Sequence, residues 1–200
     1  MSKPDLIKIA LSDLTICGVE ELPAHGRRSV THVLSLIDPD WPEISAFESF
    51  DPHHRAEYRF HDIIDPLPGH TPPSAEIVSD VLGFARGVAA EVEQGVPVRL
   101  LIHCHMGVSR SSAAMLSFLA VTHLDEPVTA LYDRLRTIRP KSWPNSVMVG
   151  YIDDFLGFGG ALVDGLGVHY GHRLRANPAT GEWMKSNGRA CEVEMAVMPD

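Results

Sequence analysis

Long hydrophobic runs, paired cysteines, internal repeats and a surplus of basic residues are all missing from this sequence, and each absence closes off a class of function. Nowhere do eighteen apolar residues follow one another, whereas a membrane-crossing helix needs about 20. The opening MSKPDLIKIALSD has no basic stretch ahead of a long apolar run, so neither secretion nor membrane spanning is expected. Cys17, Cys104 and Cys191 form no C-x-x-C pair and are too few for a disulfide framework, which fits a reducing cytoplasm. Lys and Arg number 17 against 26 Asp and Glu, for a formal charge of −9. That field repels nucleic acid and anionic membranes. An anion handled by this chain must therefore be caught by a compact local site, and a phosphorylated group has that size.

What is present suffices for one core: 200 residues, 44% apolar and 22% charged, too few for two ordinary domains. Residues 7–11 and 15–17 read as short strands, and 18–24 as a small helix. The run SVTHVLSLI, Ser29 to Ile37, is β-branched and apolar, as in a buried strand. Residues 38–54 read as loop with one short helix. In Glu57 to Asp62, Tyr58 and Phe60 alternate with polar neighbours, which predicts a third strand. A Pro/Gly-rich stretch, 65–73, then leads to a helix capped by Ser74 and closed by Gly95, with Ile77, Val78, Val81, Leu82, Phe84, Ala85, Val88 and Val92 on one face.

Val98 to Ile102 reads as a central strand running into His103 and Cys104. Helices are predicted over 111–123, 127–138 and 146–155. The order implies an α/β domain. Beyond residue 157 the pattern weakens into glycine-rich, loop-like sequence with a possible short strand at 191–198, so residues 1–156 are expected to form the domain and 157–200 an extension without assigned role.

The chemistry-bearing stretch is LLIHCHMGVSRSS, residues 100–112. A loop between a strand end and a helix N-terminus turns successive backbone N–H groups inward, and the helix dipole completes a cradle for a tetrahedral dianion. The same field favours thiolate over thiol, so Cys104 is expected to be nucleophilic. Arg110 begins the helix, where its planar fork suits two phosphoryl oxygens. His105, Met106, Gly107, Val108, Ser109 and Arg110 would line the cradle, with Gly107 taking a positive φ. Ser111 is placed to donate to the Cys104 sulfur, and His103 to orient the loop. The bland alternative for Cys104 is a buried structural thiol. A metal site at His103-Cys104-His105 is disfavoured because neighbours on a strand end point in opposite directions, and His53, His54, His61 and His70 are too irregularly spaced to improve on solvated loop residues.

HCHMGVSRS resembles the H-C-x-x-G-x-S-R-S signature of the dual-specificity branch of the protein tyrosine phosphatases at every fixed position. More loosely, residues 9 to 156 resemble that family: DLTICGVEELPAHGRRSVTHVLSLID looks like its opening strand and helix followed by its next strand, and RPKSWPN like its arginine-proline-asparagine segment. The resemblance implies a three-layer fold with a mixed sheet of four or five strands, one long helix on one side and several on the other, and no cofactor or metal. It also implies hydrolysis through a phosphocysteine on Cys104, Asn145 bracing the phosphate loop, and Arg139 as a structural partner. It further implies an aspartate general acid on FHDIIDPLPGHTPPS. Asp62 continues the Tyr58, Phe60 alternation and is preferred, while Asp65 stays open. Tyr151 stands where the family often has glutamine, and no lysine occupies the loop. The missing lysine points to a singly phosphorylated substrate, and the resemblance to phosphotyrosine in a protein, with or without phosphoserine and phosphothreonine; a small phosphorylated metabolite or a phosphate-binding module of weak turnover are the alternatives.

Overall fold

The computed structural model describes residues 9–199. Its sheet has four strands, β1 (Leu14–Gly18), β2 (His32–Ile37), β3 (His54–Arg59) and β4 (Leu100–Cys104), in the order β1-β4-β2-β3. The α/β architecture is as expected, but all three strand pairings are parallel and the sheet is not mixed. Parallel sheets are covered on both faces, and β2 and β4 are buried throughout.

Alternation along the strands divides two cores. Leu14, Ile16, Leu34, Leu36, Leu100 and Ile102 face a large cluster built with α1 (Ala75–Glu93), α2 (Arg110–Thr122), α3 (Val128–Ile138) and α4 (Ser146–Leu156). Cys17, Val33, Ile37 and Leu101 face the opposite way, onto Leu22, Val30 and Ile44. There the covering consists of 3-10 turns at Val19–His25 and Ser45–Ser49. The long helix α1 thus lies on the same face as the other helices, packed on α2 and α4, and not alone on its own side. Ser74 caps α1 by accepting from the Ile77 amide at 3.2 Å.

Two strands are displaced from expectation. The strand read at 57–62 runs His54–Arg59, because β3 pairs residue for residue with the six residues of β2, and an edge strand tolerates the polar His54 and Arg55 that masked its start. Of the strand expected at 7–11, residues 7 and 8 lie outside the described residues, and Leu11–Asp13 is a 3-10 turn.

The largest departure is at the end of the chain. Instead of loops and a strand at 191–198, three helices follow: α5 (Ala161–Ala176), α6 (Ala179–Ser186) and α7 (Ala190–Glu194). Leu162, Leu166, Tyr170 and Met184 join the main core, and Trp143 stacks on Tyr170 at 4.1 Å. The glycines that suggested disorder permit close approach. A Cβ on Gly165 would lie 2.7 Å from the Tyr132 ring, and one on Gly171 would lie 1.8 Å from the Val197 carbonyl oxygen. No helix among the described residues is long and apolar enough to cross a membrane.

Two buried histidines make this fold acid-sensitive. Burial, reinforced for His103 by Arg55, pushes His103 down to about 3, and burial likewise pushes His169 down to about 3. Their folded values lie below the unfolded value, so the unfolded chain binds the extra protons and stability falls as pH drops from about 6.5 toward 3. Denaturant titrations should lose about 2 kcal/mol between pH 6 and pH 5 from this pair. A flat profile across that interval would remove the assignment.

Candidate functional site

The loop after β4 is shaped from outside. Val19 N donates to His105 O at 3.0 Å and Trp143 N to Val108 O at 2.8 Å. Arg139 donates through Nε to Gly107 O at 2.9 Å and through Nη2 to Met106 O at 3.2 Å, and is itself held by Glu21. Four successive carbonyls are thereby pulled outward. A peptide's N–H points opposite to its C=O, so the amides of residues 106–109 face the other side, into the concavity that Cys104 floors. Gly107 has φ +65°, and a Cβ there would lie 2.4 Å from the Cys17 carbonyl carbon, so the turn requires glycine.

Cys104 is 2% exposed, with its Sγ 3.1 Å from Ser111 Oγ at the head of α2. Arg110 is 1% exposed. Its Nη1 donates to Asp38 Oδ1 at 2.7 Å and to Phe60 O at 2.5 Å, while the buried Nε has no hydrogen-bond partner and lies 3.9 Å from Asp62 Oδ2. A cleft of about 310 Å³ opens there, its lining including Asp38, His61, Asp62, Ile63 and His70 together with Trp183, Met184, Asn187 and Arg189.

The structure separates the two candidate acids. Asp62 lines the cleft, and Asp65 is exposed outside that lining. Asp62 Oδ1 accepts from Ser109 Oγ at 2.7 Å, Asn145 Nδ2 at 3.0 Å and Arg189 Nη1 at 3.2 Å. Burial pushes the Asp62 carboxyl up, but Arg189, Arg110 and these hydrogen bonds outweigh it and hold it below the usual carboxylate range. Asn145 also donates to Ile63 O and caps α4. Its bonds therefore fix the Asp62 segment, whereas Trp143 and Arg139 brace the loop.

His103 points away from the cleft, its Nε2 2.7 Å from Ser35 Oγ. His105 lies against Trp41, ring centroids 3.9 Å apart, and accepts from the Asp38 amide through Nε2 at 3.2 Å. Met106 is an exposed rim residue and Val108 is buried in the core. His61 and His70 meet edge to face at the mouth, while His53 packs near Phe47 and His54 stacks on His32.

Sequence reasoning missed Asp38 and Arg189. Asp38 follows β2 directly, and the carboxyl ends of neighbouring parallel strands converge on one crevice, so that signal was readable once the sheet was known to be parallel. Arg189 has no local signal, since it reaches Ser109 across 80 residues of sequence.

No family model matches the chain, and none of the curated proteins searched matches it. Solved structures do. Human DUSP28 superposes with a TM-score of 0.53 at 13% identity, covering 74% of this chain and 94% of its own. A Cydia pomonella PTP-2 phosphatase gives 0.53 at 21% identity, covering 74% and 86%. A mouse putative dual specificity phosphatase, complexed with zinc tungstate, gives 0.53 at 14% identity, covering 82% and 95%. The chain has the fold of the dual-specificity type of protein tyrosine phosphatase.

Proposed function

We propose that the chain is a cysteine-dependent phosphate monoester hydrolase acting on phosphotyrosine. The observation carrying this reading is the conjunction at one cleft: a thiol at its base, four loop amides opposite carbonyls that are bonded outward, and the buried Arg110 guanidinium, whose Nε makes no hydrogen bond. Cys104 attacks phosphorus in line, and its S–P bond forms as the bond to the leaving oxygen breaks. Arg110 and the loop amides hold the equatorial oxygens, where charge is redistributed. Asp62 gives its proton to the leaving oxygen, and as carboxylate then takes one from the water that cleaves the S–P bond. Ser111 donates to the departing thiolate. Trp183, His61, His70 and Met106 at the mouth suit an aromatic ester better than a short alkyl one.

Asp62 is favoured over Asp65 by its place in the cleft. An incoming phosphoryl dianion raises the Asp62 carboxyl from its depressed resting position, because like charges disfavour ionisation. Turnover should fall as pH rises through that value, since the protonated form is consumed in the first step. With phenyl phosphate, Asp62→Asn should cut kcat by about 10²–10⁴ and flatten the basic limb, while Asp65→Asn stays within about twofold of the parent. The opposite pattern would transfer the role to Asp65.

A further inference from the structure

The turn between α6 and α7 sends Arg189, 4% exposed, into the cleft. Its guanidinium is fixed from behind by Glu192, through Nε to Oε2 at 2.9 Å and Nη2 to Oε1 at 2.7 Å. Glu192 is fully buried and accepts from Trp143 Nε1 at 2.7 Å and Ser146 N at 2.8 Å. The fork is thus tied to the segment that braces the loop. In front, Nη1 reaches Asp62 Oδ1 at 3.2 Å and Nη2 reaches Ser109 Oγ at 3.2 Å.

Asp62 lies beyond the end of β3, on chain without regular secondary structure, so its orientation must come from these contacts. Three donors converge on Oδ1, which leaves Oδ2 facing Arg110 Nε. Building on the phosphatase reading, we propose that Arg189 is a positioning residue for Asp62, presenting Oδ2 to the reacting phosphoryl group, and that α6 and α7 are thereby an obligatory wall of the active site. The charged and titratable groups facing Asp62 are Arg189, Arg110 from α2 and His105 from the loop.

The test is a double-mutant cycle on the full chain, R189Q and D62N singly and together, with Arg189→Lys as the charge-keeping variant and thermal unfolding as a check on folding. R189Q should lower kcat for phenyl phosphate about ten- to a hundredfold with KM within about threefold. It should also move the basic limb to higher pH, because Asp62 loses a neighbouring cation. In the D62N background the further loss should be under about twofold, the non-additivity of residues acting as a unit. R189K, able to reach fewer partners, should fall between parent and R189Q, and serves the same comparison if R189Q does not fold. A full additional loss on top of D62N, or a limb that does not move, overturns the positioning role alone. A parent without Cys104-dependent turnover overturns the phosphatase reading and this role with it.

Discussion

Cys104→Ser should lower turnover of an aryl phosphate by more than about 10⁴-fold while leaving the fold and anion binding in place. Serine is nearly isosteric with cysteine, and Cys104 is 2% exposed with a hydroxyl neighbour, Ser111 Oγ, at 3.1 Å, so the substituted oxygen has a hydrogen-bond partner. What is lost is the nucleophile, since an alcohol at this position has no adjacent general base: Asp62 is held on Oδ1 by Ser109, Asn145 and Arg189. Arg110, the loop amides and the brace from Arg139 and Trp143 are untouched, so phosphate should still bind within about threefold of the parent. Steady-state kinetics beside calorimetry with inorganic phosphate reads both quantities. Residual turnover within tenfold of the parent would show that the thiol is structural.

Arg110→Lys should cost about 10²–10³ in kcat/KM, or ~3–4 kcal/mol of transition-state stabilisation. Lysine keeps the charge and loses the fork. The guanidinium here bonds Asp38 Oδ1 and Phe60 O at once through Nη1, while its buried Nε makes no hydrogen bond and lies 3.9 Å from Asp62 Oδ2. An ammonium that holds the first two leaves the third direction empty, and one that turns to the phosphoryl group leaves the buried Phe60 carbonyl short of its donor, at about 1–3 kcal/mol of stability. The variant should therefore lose phosphate affinity together with turnover and melt lower. A variant as active as the parent would place the phosphoryl group elsewhere in the cleft.

The centre of the site was legible because its chemistry is local. Cys104, Gly107, Arg110 and Ser111 lie within one strand-loop-helix unit, so spacing alone brought them together, and Gly107 takes the positive φ expected of it. The strand alternation Tyr58, Phe60, Asp62 also pointed to the aspartate that lines the cleft, although β3 itself ends at Arg59. Less legible was everything set by long-range packing. Gly165 and Gly171 read as breakers, yet they let α5 touch Tyr132 and the 197–198 backbone; a glycine admitting a close neighbour and a glycine ending a helix look the same in sequence. For the same reason α6 and α7 went unseen, and with them Arg189 and Glu192. Asn145 was expected at the loop and instead holds the Asp62 segment, a difference of direction that residue spacing does not encode.

The central claim is a covalent phosphoryl group on Cys104. Acid-quenching the protein during turnover of an aryl phosphate, digesting it and weighing the peptide that spans residues 100–110 tests this directly. One added phosphoryl group is expected on that peptide, located on Cys104 and absent in Cys104→Ser. Turnover with the label on another residue, or with no labelled peptide while Cys104→Ser remains active, would contradict it.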